Sequence, residues 1–134
     1  MAQANLAKEL VIEVADKQGI FADIASAVGD AGVNITAVCA YAVSDKAYFR
    51  IMASDNKRAK DALVKKGFKV EEKDVVTVML EDRVGRAKEL ALQLKEGKVN
   101  LYCLYGTTCG CAGSQALIVM GSNDCKKVIN AING

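Results

Sequence analysis

The chain has 134 residues, about half of them apolar and a quarter charged, with a net charge of +2. That length and balance fit one ordinary domain or two small ones, and so weak a charge gives no strong pull toward nucleic acid or a membrane. No run of eighteen apolar residues predicts a membrane span, and Met1 to Lys8 lacks the features of a secretory signal, so a cytoplasmic protein is expected. Five cysteines in such a chain then read as thiols rather than a disulfide framework.

The elements follow in chain order. Leu10 to Ala15 alternates, with Leu10, Ile12 and Val14 on one face, and reads as a half-buried strand. Asp16-Lys17-Gln18-Gly19 breaks the period. Phe21, Ile24, Ala25 and Val28 then form the apolar stripe of a helix, which Gly29, Asp30 and Gly32 stop. Val33 to Val43 is a long apolar strand. Ser44-Asp45 turns it into a second one, Ala47 to Ala53. Ser54-Asp55 caps a helix over 56–66, whose stripe is Ala59, Ala62 and Leu63. Gly67 ends this helix, and Phe68-Lys69-Val70 forms a short fourth strand.

The pattern then starts again. At an offset of 66 residues, Val76-Thr77-Val78-Met79-Leu80 repeats Leu10 to Val14, Asp82 and Gly85 repeat Asp16 and Gly19, and Val99-Asn100-Leu101 repeats Val33-Asn34-Ile35. The second copy predicts strands at 75–80, 99–106 and 115–121 and helices at 86–96 and 123–132, with no fourth strand before Gly134. The expected fold is therefore α+β: two tandem ferredoxin-like βαββαβ units, residues 1–72 and 73–134. Each has an antiparallel sheet with both helices on one face, and the second lacks its last strand. Right-handed crossovers set the strand order 4-1-3-2. A unit of 66 residues buries too little surface to be robust alone, so the units are expected to pack together or on a second chain. The uncovered strand at 75–80 predicts a homodimer.

Enzyme chemistry is poorly provided for. The chain has no histidine, so it offers no imidazole base or imidazole metal ligand. The stretch from Gly106 to Ser114 lacks the ending of a phosphate loop. Lys57, Arg58, Lys60, Lys65, Lys66 and Lys69 make a solvated basic helix face. Strand one carries no aromatic for base stacking, so nucleic-acid binding is not expected.

Two places remain. Gly19 and Gly85 stand where a strand enters a helix, each three residues after an acid. Unpaired amides and partial positive charge at a helix start suit an anionic or zwitterionic ligand, and glycine lets it approach the backbone. Asp16 and Asp82 are equally explained as helix caps, and Asn34 and Asn100 as turn residues. The second place is Cys109-Gly110-Cys111, with Cys103 upstream. These three are the candidates for a soft metal or a strained disulfide, but two or three thiols fall short of a tetrahedral site. No metal and no cofactor is expected. In an exposed loop without a basic neighbour, the thiols should titrate near the free value.

Asp16-Lys17-Gln18-Gly19, followed after a helix by Gly32-Val33-Asn34-Ile35, resembles the ACT domain, a small amino-acid-binding regulatory module. Asp82-Arg83-Val84-Gly85 and Lys98-Val99-Asn100-Leu101 resemble it again, so nearly the whole chain is similar to a tandem ACT protein. The resemblance implies a non-enzymatic sensor that binds an amino acid or related metabolite between paired ACT units. It implies action in trans on a catalytic partner subunit of amino-acid metabolism. Asp16, Gly19 and Ile20 would meet Asn100 of the other repeat, and Asp82 and Gly85 would meet Asn34. The family's proline before the glycine is replaced by Gln18 and Val84, and Arg86 stands where the first copy has Ile20, so the two sites are not equivalent. The alternatives are an interaction module with a degenerate pocket and a thiol-based metal or redox protein.

Overall fold

The structure is a computed structural model that describes residues 3–111 and 113–134. Met1, Ala2 and Ala112 of the glycine- and cysteine-rich loop lie outside the described residues. The elements in chain order are β1 (Ala4–Ala15), α1 (Ile20–Asp30), β2 (Ile35–Val43), β3 (Lys46–Ala53), α2 (Asn56–Lys65), β4 (Val70–Glu81), α3 (Arg86–Glu96), β5 (Cys103–Thr107), β6 (Gln115–Gly121) and α4 (Cys125–Asn133). They fall into two compact units, Lys8–Lys73 and Asp74–Gly134, the latter joined by residues up to Ala7.

In the first unit the strands lie in the order β2-β3-β1-β4. Antiparallel register sets Leu10 against Ile51 and Ile12 against Phe49, and on the far side of β3 it sets Val38 against Ile51. The period-two alternation of β1 and the 3.6-residue stripes of the helices point their apolar residues at one another. Leu10, Ile12, Phe49 and Ile51 thus meet Ile24, Val28, Ala59 and Leu63 in one core. The stripe of α1 starts one residue earlier than the periodicity predicts. Ile20 is buried in the core with Ile24, Ala27 and Val28, while Phe21 is half exposed and its ring stacks on Phe49 at 5.8 Å.

The second unit repeats the plan with β5-β6-β4. Val76 is set against Met120, Val78 against Ile118, and Leu104 against Met120. Val76, Val78, Leu80 and Met120 meet Leu90, Leu94, Val128 and Ile132. As expected, no strand follows α4 among the described residues. Its place beside β4 is taken by the start of β1, and Ala4 is buried in this second core. Ala4 donates its N–H to Asn133 Oδ1 at 2.8 Å, and Asn133 Nδ2 donates to the Ala4 carbonyl at 3.1 Å.

Two strands are longer than the sequence predicts. Val70, the end of the predicted strand at 68–70, and the predicted strand at 75–80 belong to one twelve-residue strand, β4, which runs through Glu71-Glu72-Lys73-Asp74, whereas Phe68 and Lys69 precede it outside any strand. β1 begins at Ala4 rather than Leu10. In the other direction, β5 spans only Cys103–Thr107 where a strand over 99–106 is predicted.

Candidate functional site

The four helices start in two ways. Asp55 and Asp124 cap α2 and α4, their carboxylates accepting the N–H groups of Arg58 and Lys127, both at 3.1 Å. Each cap satisfies one of the amides a helix start leaves unpaired. α1 and α3 start instead at Gly19 and Gly85, both left-handed, at φ +79° and +87°, with no side-chain cap. A Cβ at either glycine would meet nothing within 4 Å, so the space above both turns is open.

The two turns match bond for bond. Ile20 N–H donates to Lys17 O at 3.4 Å and Arg86 N–H to Arg83 O at 3.3 Å; Asp23 N–H donates to Gly19 O at 3.1 Å and Glu89 N–H to Gly85 O at 3.0 Å. Within this frame the acids differ. Neither caps its helix. Asp16 is exposed, and its N–H donates to Asp45 O at 2.8 Å, fastening the turn to the β2–β3 hairpin. Asp82 Oδ2 accepts the hydroxyls of Thr108 at 2.5 Å and Ser114 at 3.3 Å, and Asp82 N–H donates to Ser114 O at 3.2 Å. Asp82 therefore holds the two ends of the cysteine loop.

Ile20 and Arg86 also part ways. The Ile20 side chain belongs to the core and also edges a depression of about 380 Å³ lined by Lys17, Asp23, Lys66 and Phe68. Arg86 is largely buried and pairs with Glu89 at 3.0 Å; Arg83 reaches the same carboxylate at 3.1 Å. The second turn thus carries two cations where the first carries Lys17 alone.

Asn34 and Asn100 are exposed and tied through their backbones. Asn34 N–H donates to Ser54 Oγ at 3.0 Å, and Ser122 Oγ donates to Asn100 O at 2.7 Å. The asparagine side chains are left to solvent, and Asn100 lines a depression of about 250 Å³ with Lys98, Tyr102, Ser122 and Lys127.

The cysteine loop departs from its sequence expectation. Cys109 and Cys111 are exposed, but their thiols do not titrate alike. A hydrogen bond from the Cys111 thiol, with Ser114 beside it, holds Cys109 below its ordinary value; donating that bond pushes Cys111 up. The helping donor is the second cysteine itself, which a search for basic neighbours misses. Among the described residues no group of three or more Cys, Asp or Glu is placed to hold a metal ion.

A second cluster escapes a search for motifs. Glu13 Oε1 accepts from Lys46 Nζ at 3.3 Å and from Tyr48 Oη at 3.2 Å, and the Tyr48 ring stacks on Tyr41 at 5.5 Å. Lys46 and Tyr48 hold the Glu13 carboxyl below its usual range, and Glu13 in turn raises both partners. Glu13, Tyr41 and Tyr48 line a depression of about 210 Å³ with Val11, Lys69 and Lys73. Their signal is cross-strand: β1 and β3 place Glu13 opposite Tyr48 only once the register is known. Beside them, Arg50 Nη1 and Glu9 Oε1 make an ion pair at 2.8 Å, with both side chains nearly out of solvent.

Among the described residues no helix is long and apolar enough to cross a membrane. No curated protein sequence matches the chain. Solved structures share its fold, among them the following three. Protein BT0572 from Bacteroides thetaiotaomicron is 23% identical with a TM-score of 0.87, over 97% of this chain and 88% of that one. The regulatory subunit of aspartate kinase from Thermus thermophilus is 12% identical with a TM-score of 0.65, over 96% and 95%. A structure of aspartokinase alpha and beta subunits is 15% identical with a TM-score of 0.65, over 98% and 95%. The ACT domain pair family matches residues 6–133. With two βαββ units, matched glycine turns and that match over nearly its full length, the chain belongs to the ACT domain pair family.

Proposed function

We propose that the protein is a non-enzymatic regulatory sensor that binds a free amino acid at the Gly19 turn and acts in trans on a catalytic partner of amino-acid metabolism. The observation that carries this is the contrast between helix starts: aspartates close α2 and α4, whereas α1 and α3 stay open at glycine. The first-turn amides of α1 suit a carboxylate, and the exposed Asp16 suits an ammonium group. Gly85 offers the same amides, but Asp82 is already engaged, and Arg83 and Arg86, paired with Glu89, occupy the turn. The Gly19 turn is therefore the amino-acid site and the Gly85 turn the weaker or more anion-selective one. The exposed side chains of Asn34 and Asn100 supply further hydrogen bonds. The protein acts as a cytoplasmic homodimer, and ligand shifts it between packings that the partner distinguishes. The kinase regulatory subunit of the same fold is a precedent for such a division of labour.

Thermal unfolding with each of the twenty amino acids tests the reading. A ligand at 100 times its Kd adds about 2.7 kcal/mol to the native state. Gly19→Asn is the informative variant, because asparagine tolerates a left-handed φ while its side chain fills the open space. It should remove the stabilisation. Asn100→Ala should weaken binding by about 1.5–3 kcal/mol if it bonds a charged group of the ligand, and Asp16→Ala should weaken amino acids but not their deaminated analogues. Stabilisation by none of the twenty would leave the protein as an interaction module.

A further inference from the structure

The Cys109-Gly110-Cys111 loop joins β5 to β6 and is absorbed by none of the preceding. Gly110 sits at φ +73°, so the chain folds back between the two cysteines. Cys111 N–H donates to Cys109 Sγ at 3.3 Å, and Cys111 Sγ lies 3.8 Å from Cys109 O. Both thiols are exposed, whereas Cys39, Cys103 and Cys125 are partly buried on β2, β5 and α4. The flanking residues are the hydroxyls that hold Asp82: Thr108, which also accepts Gly110 N–H at 3.2 Å, and Ser114, whose N–H donates to Cys111 O at 3.1 Å.

We propose that Cys109 and Cys111 form a thiol–disulfide exchange site for low-molecular-weight disulfides of the glutathione class. Cys109 is the attacking sulfur and Cys111 the resolving one, and the oxidation state of the pair is transmitted to Asp82. Cys109 Sγ accepts the Cys111 N–H, a bond that favours a thiolate, and the thiolate is the nucleophile. It attacks one sulfur of the small disulfide, forming a mixed disulfide and expelling one thiolate, which takes a proton from water. Cys111 then loses its proton to solvent and attacks the Cys109 sulfur, which breaks the mixed disulfide and expels the second small thiol. The balance is one small disulfide reduced to two thiols and one protein dithiol oxidised to a disulfide. Closing the ring removes the Cys111 thiol as a donor and reshapes the segment between Thr108 and Ser114. The acid clamped by those two hydroxyls registers the change.

The test uses the full reduced chain and oxidised glutathione, followed by mass spectrometry with peptide mapping. The parent should lose two hydrogens and retain no glutathione. Cys111→Ser should retain one glutathione, on Cys109, and Cys109→Ser should react about tenfold more slowly. A stable glutathione adduct on the parent, prior reaction at Cys39, Cys103 or Cys125, or an unslowed Cys109→Ser overturns the exchange site. Backbone amide resonances of Asp82, Thr108 and Ser114 should move on oxidation of the parent and stay fixed in the Cys109→Ser, Cys111→Ser double variant. An unmoved Asp82 overturns the transmission. None of these readouts depends on an amino acid binding at Gly19.

Discussion

Asn133 reaches from the last turn of α4 to both backbone groups of Ala4, 129 residues away, and so fixes the strand segment that completes the second unit. Asn133→Ala removes one acceptor at 2.8 Å and one donor at 3.1 Å. A net hydrogen bond contributes about 0.5–1.5 kcal/mol. The site is only partly buried, so water can reach the abandoned groups, and the sum belongs in the lower half of the range, about 1–2 kcal/mol. For a chain of this size that is a fall in Tm of roughly 4–8 °C. Asn133→Asp keeps the acceptor for the Ala4 N–H but loses the donor, so it should cost about half as much at neutral pH. Calorimetry gives the energies. Hydrogen exchange gives the place, since residues 4–7 should lose protection before the rest of β1. A change in Tm under 1 °C for Asn133→Ala, or unchanged protection at 4–7, would show that the segment is held by its β4 ladder alone.

Gly97 closes α3 against α4, and a Cβ there would overlap the methyl of Ala131. Gly97→Ala should cost about 1–3 kcal/mol by overpacking, and adding Ala131→Gly should recover part of it in a double-mutant cycle. Glu13 has its carboxyl lowered in the fold, so its contribution is present above the unfolded value and is lost as pH falls through the folded one. The Tm gap between the parent and Glu13→Gln should therefore be constant near neutrality and close below the ordinary value of 4.5. A gap that widens in acid would contradict the assignment. Asp124→Ala removes the cap on Lys127 N–H and should cost about 1 kcal/mol by chemical denaturation, with the loss confined to α4.

Much of the fold was legible because its signals are local. Val76-Thr77-Val78 alternates as Leu10 to Val14 does, and the helix stripes alternate with them at fixed spacing. What was hidden lies where tertiary pairing overrides local preference. Ala4-Asn5-Leu6-Ala7-Lys8-Glu9 is rich in helix formers, yet it is strand because β4 and Asn133 offer partners that only the far end of the chain reveals. Glu71-Glu72-Lys73-Asp74 spans the boundary expected between the units, yet β4 runs straight through it. At the site, Gly19 and Gly85 announce their left-handed turns by residue type alone. The engagement of Asp82 could not be read, because Thr108 and Ser114 stand 26 and 32 residues away from it. Ile20 joins the core stripe of α1, a place that a stripe started at Phe21 did not reveal.

The borrowed strand has a kinetic consequence. During synthesis the segment at 4–7 emerges well before α4 and can find its hydrogen-bonding partner Asn133 only once that helix has appeared. Its closure spans almost the entire chain, and contacts of such separation form late and slowly. The second unit should therefore be the last to acquire protection. A circular permutant that joins residue 134 to residue 8 through a short linker carrying 3–7 would turn this longest-range contact into a local hairpin and speed the final folding phase.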